Sequence, residues 1–273
     1  MTSQAPSPME EHIRAHERIT DTLFSGRKML LEGVLSKPVT IYVPEAAENG
    51  SIIDLLFHFH GTPNVPIQAV DQLGKPIILA FVNQGSGSSV YQQPFLDTAV
   101  FEQLIRKVVT VTGDKNINKI YCSSFSAGYG AIRELLKTNS DQIDGVLLID
   151  GLHTDYIPEA TPLAAGGKLN TEKLEVFLNY AKLAMQNKRK MLITHSEIFP
   201  GTYASTTETA EYLINACGLK RNPVLAWAPM GMQEIANTKS GQFQVRTFAG
   251  NSAPDHIDQF HGIVEFIKYF WAD

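Results

Sequence analysis

The chain has 273 residues, 44% of them apolar, with a formal net charge of −5 and a pI near 5.9. That length supports one large α/β domain or two small ones, with a sizeable core. The acidic balance excludes the basic footprint of a nucleic-acid or anionic-membrane partner, and no apolar run reaches the roughly 20 residues of a membrane span.

The opening MTSQAPSP is a tail of small residues. It fits a cytosolic start, the favoured reading, or the remainder of an exported chain after removal of a signal peptide. MEEHIRAHERITDTLF then reads as an amphipathic helix, so residues 1–25 are expected to form a tail and helix, and 26–273 a single soluble domain. KMLLEGVL and KPVTIYVP predict an antiparallel edge. From there apolar runs alternate with helical periodicity. The runs are IDLLFHFHG, PIILAFVNQG, NKIYCSSF, DGVLLID, RKMLITHSE and GQFQVRTFAG, several apolar throughout, as central parallel strands are when helices cover both faces. Helical spacing links Val100, Leu104, Ile105 and Val108; Ile132, Leu135 and Leu136; Leu174, Leu178, Ala181 and Met185; and Ala210, Leu213, Ile214 and Cys217. Ser205 and Glu208 predict a capping box for the last of these and Gly218 its end. A final helix is expected over 257–270. Cys122 and Cys217 have neither disulfide nor zinc spacing and read as buried small apolar residues. The fold class expected is α/β, a mostly parallel central sheet with helices on both faces.

One junction stands out. In KIYCSSFSAGYGAIRELL a strand breaks at Ser126 and restarts as a helix, with the small residues Ser124 and Gly128 two places to either side. A nucleophilic serine needs an exposed Oγ on a tight strand-to-helix turn, and that turn crowds the flanking residues. The usual pattern is G-x-S-x-G; here Ser124 replaces the first glycine. Small residues that only permit close packing are the alternative.

The turn at Ser126, the earlier strand ending in HFHGTPN and the late DHIDQFHG stand in the chain order of the α/β-hydrolase family, which this sequence resembles from about Arg27 to Trp271. The resemblance implies a Ser, acid, His triad, no cofactor, and an oxyanion hole from the backbone N–H groups of Thr62 and Ala127. It offers two places for the acid: Asp150, favoured at a strand's carboxyl end, and Glu197 after the next strand. For the base, His256 is expected in the loop after FAGNSAP or at a helix's first residue, and is preferred to His261, which shares a helix face with Ile257 and Val264.

The activity expected is hydrolysis of a carboxylic ester through an acyl-enzyme on Ser126, with a small-molecule or carbohydrate-linked substrate. Tyr91, Tyr129, Phe199 and Tyr203 are candidate pocket residues in or near the loops NQGSGSSVYQQPF and IFPGTYAST. Two alternatives stand beside it. One is a non-catalytic module that keeps the fold. The other is a metal-dependent hydrolase using His58 and His60, alternate strand residues that point the same way, with His153, Asp155 and His195 as scattered further ligands. No metal-binding signature completes that set. The sequence leaves the substrate and the oligomeric state open.

Overall fold

The computed structural model describes residues 24–272. The helix expected before Phe24 lies outside the described residues. In chain order the strands are β1 (Arg27–Leu31), β2 (Val39–Val43), β3 (Ile52–Phe59), β4 (Ile77–Val82), β5 (Asn116–Phe125), β6 (Gly145–Ile149), β7 (Tyr156–Ile157), β8 (Lys168–Leu169), β9 (Lys190–His195), β10 (Pro223–Trp227), β11 (Gln233–Ser240) and β12 (Phe243–Phe248). The helices are α1 (Glu45–Glu48), α2 (Asn64–Leu73), α3 (Ser88–Gln92), α4 (Ala99–Val111), α5 (Tyr129–Thr138), α6 (Glu175–Met185), α7 (Thr206–Ala216), α8 (Ala253–His261) and α9 (Ile263–Phe266). The described residues form two compact units, 24–147 with 263–272, and 148–262.

In the first unit the strand order is β1-β2-β4-β3-β5. β1 and β2 make the antiparallel edge expected from the sequence, with Arg27 opposite Val43, and β3 is parallel to both β4 and β5. Every residue of β4 is buried, which explains its uninterrupted run IILAFV. Burying such a Val, Ile, Leu or Phe contributes about 1.5–3 kcal/mol each. Asp144 ties the start of β6 to β5 by a backbone bond to Ile120 and a carboxylate bond back from its N–H. Cys122 is buried.

In the second unit β9 and β12 are parallel, and β11 and β10 continue antiparallel beyond β12. Neither β10 nor β11 is among the strands expected from the sequence. The burial of β11 alternates, but two of its inward positions are Glu234 and Thr238, so polar side chains hide the period of two. Glu234 is buried by pairing with Arg246 across the hairpin. α7 opens on the capping box predicted at Ser205 and Glu208. Cys217, read as buried, is half-exposed at that helix's end.

The final helix departs from expectation at both ends. It starts at Ala253, because Ser252 and Asp255 form a capping box and Pro254 suits the first turn, and it breaks at Gly262 into α9 and a 3₁₀ turn over Ile267–Trp271. The expected loop NQGSGSSVYQQPF is itself largely helical, as α3 and a 3₁₀ turn. Tyr91 and Tyr129 are buried there, whereas Phe199 and Tyr203 are exposed.

Candidate active site

The turn at Ser126 belongs to the first unit. β5 ends at Phe125 in extended backbone, Ser126 takes a φ of 46°, and a 3₁₀ turn leads into α5. A left-handed serine costs roughly 1–2 kcal/mol and persists only where its surroundings enforce it. The end of β3 is one such constraint: a Cβ on Gly128 would lie 2.2 Å from the carbonyl oxygen of Phe59. Ser124 pairs directly with Phe59 in the β3–β5 register. Its Oγ is buried and has no hydrogen-bond partner among the described residues. Ser126 and Ala127 are half-buried.

The end of β3 makes a second tight turn. His60 has a φ of 75° and Gly61 one of 108°, and the Gly61 carbonyl accepts from Asn83 Nδ2 at 2.9 Å. The His60 ring stacks on Phe125 with centroids 5.9 Å apart, and its Nδ1 lies 2.7 Å from the Tyr91 hydroxyl. Thr62 follows, exposed. Among the described residues, no hydrogen bond engages the backbone N–H of Thr62 or Ala127.

His58 is fully buried. Its Nε2 donates to the His60 carbonyl at 3.0 Å, which leaves Nδ1 to accept from Ser123 Oγ at 2.7 Å. Burial lowers its pKa to about 3, so the ring is neutral. Both nitrogens are thus occupied within the protein. The other side chains named for a metal site are also engaged elsewhere. His153 Nδ1 donates to the Ala204 carbonyl, His195 Nδ1 to the Ser196 carbonyl, and Asp155 pairs with Lys173. Among the described residues, no three His, Cys, Asp or Glu side chains gather to hold an ion.

The second unit brings Asp150 and His256 together. Asp150 follows β6 with a φ of 42°, its N–H held by the Thr194 carbonyl at 2.8 Å. Its buried carboxylate accepts from Ser196 N at 3.0 Å through Oδ1, and from Ser196 Oγ at 2.6 Å and His256 Nδ1 at 2.8 Å through Oδ2. Burial pushes its pKa up, but the bond and charge of His256 and the Ser196 hydroxyl outweigh that and hold it below the ordinary carboxylate value. His256 lies inside α8 as its fourth residue, where the sequence reading had a loop or a helix start, and its side chain is 22% exposed. When neutral, the ring carries its proton on Nδ1 and leaves Nε2 bare.

The competing residues are placed differently. Glu197 is exposed; its N–H donates to the Gly250 carbonyl, and no hydrogen bond among the described residues uses its carboxylate. It lines a cavity of about 470 Å³ with Thr207, Glu211 and Arg221, and neither Asp150 nor His256 lines that cavity. His261 sits half-buried at the end of α8, edge-on to Phe260. The sequence reading missed Ser196, which gives Asp150 two of its donors. Its only local signal was a hydroxyl directly after a strand.

No family model matches the sequence, and no curated protein matches it. Solved structures do match its fold. An S-formylglutathione hydrolase from Agrobacterium tumefaciens is 14% identical with a TM-score of 0.50, over 93% of this chain and 98% of its own. A thermostable esterase is 14% identical with a TM-score of 0.52, over 90% of this chain and 62% of its own. A fluorophosphonate-binding serine hydrolase of Staphylococcus aureus is 11% identical with a TM-score of 0.50, over 91% of this chain and 99% of its own. The chain has the α/β-hydrolase fold, with a mostly parallel central sheet flanked by helices.

Proposed function

We propose that the protein is a serine hydrolase that cleaves a carboxylic ester through an acyl-enzyme on Ser126, with His256 as base, Asp150 as acid and the N–H groups of Thr62 and Ala127 as oxyanion donors. The observation that carries this reading is the 2.8 Å bond from His256 Nδ1 to a buried carboxylate that Ser196 also holds. It fixes the tautomer whose free Nε2 can take a proton, and it sets a negative charge beside the imidazolium that results. A surface ion pair would need no such second set of donors on the acid.

The chemistry follows from those roles. His256 Nε2 removes the Ser126 proton as Oγ attacks the ester carbonyl, and the negative charge that develops on the carbonyl oxygen falls to the Thr62 and Ala127 N–H groups. Preorganised donors of that kind contribute about 3–4 kcal/mol each to the transition state. The imidazolium returns its proton to the leaving alcohol. Water, deprotonated by the same nitrogen, then releases the acid. The esterase and hydrolase names of the matched structures with TM-scores of 0.50 or above support acyl transfer as the reaction class. A small-molecule or carbohydrate-linked ester is the substrate class proposed.

The test is hydrolysis of short p-nitrophenyl esters together with labelling by a fluorophosphonate probe, both repeated after EDTA treatment. Turnover with label mapped to Ser126 and no effect of EDTA is the expected result. Absence of both turnover and label would point instead to a non-catalytic module, and zinc-restorable loss with EDTA would return His58 and His60 to consideration.

A further inference from the structure

Beyond the residues given roles above, the second unit holds a buried file of hydrogen bonds whose direction is fixed from one end. Arg221 can only donate. Its Nε is held by Glu211 Oε2 at 2.9 Å and its Nη1 donates to Thr247 Oγ1 at 2.5 Å. Thr247 Oγ1 in turn lies 3.0 Å from His195 Nε2. On the far side of that ring, Nδ1 is 2.8 Å from the Ser196 carbonyl, which can only accept, so Nδ1 carries the proton and Nε2 receives the Thr247 hydroxyl. The Thr207 hydroxyl donates to the same carbonyl at 3.2 Å.

His195 is fully buried, and the charged groups acting on it are Arg221, Asp150 and Glu211. Burial first, with the Arg221 charge added, lowers its pKa to about 4, although the Ser196 carbonyl and the two carboxylates act the other way. The ring is neutral at pH 7. That matters for Asp150, because a second cation beside it would compete with the imidazolium of His256 for the same negative charge.

We propose that His195, Thr247 and Arg221 are positioning residues of the acid–base pair: they hold Ser196 by its carbonyl, keep both of its donors on Asp150, and so leave that carboxylate aimed at His256 Nδ1. Ser196 is gripped on two sides, with its carbonyl on His195 and Thr207 and its N–H and Oγ–H on Asp150. A chain in which each bond orients the next specifies one arrangement of a buried polar region better than isolated pairs do. The proposal rests on the reading of Asp150 and His256 as acid and base.

Thr247→Val removes the hydroxyl at nearly constant volume, and Thr247→Ser restores it. Imidazole proton–nitrogen NMR on the intact protein reads His195 and the His256 Nδ1 proton directly, and p-nitrophenyl ester kinetics read kcat and KM. The expected result is a neutral, Nδ1-protonated His195 at pH 7 in the wild type. In Thr247→Val the His256 Nδ1 proton resonance shifts and kcat falls about tenfold at constant KM, the scale of partners that orient a histidine from behind. Thr247→Ser returns both to the wild-type values. A His195 protonated on Nε2 at pH 7 would overturn the proposal, as would a Thr247→Val variant with an unaltered His256 resonance and kcat, whatever its stability. The spectra need no turnover. A chain inactive on every ester and unlabelled by the probe would therefore end the hydrolase reading while the NMR still decided this one.

Discussion

The turn at Ser126 and the corner at Asp150 are both left-handed and both follow a strand, yet they are held by different means. At Ser126 the constraint is steric and made of backbone: a Cβ on Gly128 would meet the Phe59 carbonyl, and among the described residues the buried Ser124 hydroxyl has no hydrogen-bond partner. At Asp150 the constraint is a set of hydrogen bonds from side chain and backbone, two from Ser196 and one from His256. In the proposed roles the difference has a reason: a nucleophile has to be left free of strong partners in order to react, so its position is best fixed by what surrounds it. An acid that orients a base works through its bonds, so its position is fixed by them.

Chemical substitutions break that comparison most sharply. Ser126→Ala and His256→Ala should each lower kcat on a p-nitrophenyl ester by about a million-fold with the fold intact. A slow but clearly enzymatic Ser126→Ala protein would remove Ser126 from its role. Asp150→Asn should lower kcat on the order of ten-thousand-fold, because an amide can hold the wrong tautomer of His256.

Stability separates the steric turn from the bonded corner. Gly128→Ala drives a methyl against backbone that cannot yield, and should destabilise by about 1–3 kcal/mol in urea unfolding. A neutral result would mean that the β3 end moves freely, and the steric account of the elbow would fail.

Acid acts on both units through buried neutral histidines. Burial, the largest cause in each case, lowers the pKa of His58 to about 3 and of His153 and His195 to about 4. Unfolded histidine takes its proton near 6.5. Between those values the unfolded chain binds more protons, so the stabilisation is fully present above about pH 6.5 and is lost on acidification, by about 1.4 kcal/mol per pH unit for each ring. Asp150, held below its ordinary value, adds a loss that begins only below about pH 4. Urea midpoints measured from pH 7 to 4 should fall steadily; a flat profile would mean that the rings are protonated in the fold. The smallest effects are expected from Glu197→Gln and His261→Ala, each within about twofold in kcat, since neither side chain bonds to Asp150. A dead Glu197→Gln enzyme beside an active Asp150→Asn one would exchange the two assignments.

The contrast also explains what could be read in advance. The parallel strands were visible because a strand covered on both faces is apolar throughout, as IILAFV is, and the Ser126 turn because its requirement for small neighbours is met within five residues. The capping box at Ser205 and Glu208 is local in the same way. By contrast, β11 carries Glu234 at an inward position because Arg246 of the next strand neutralises it, a partner no periodicity can announce. α8 starts at Ala253, four residues before the expected 257, although its cap, Ser252 and Asp255, is also local and Pro254 suits the first turn. Asp150 and His256 could be named as candidates from strand ends, but their bond spans 106 residues, and Ser196 reaches Asp150 from 46 residues away. Sequence by itself determined the central parallel strands, most of the helices and the turn at Ser126, since these obey rules that act over a few neighbouring residues. Which carboxylate meets which imidazole, and what holds them there, was decided only by tertiary structure, because a hydrogen bond between distant residues depends on where the folded strands end and leaves no pattern in the chain.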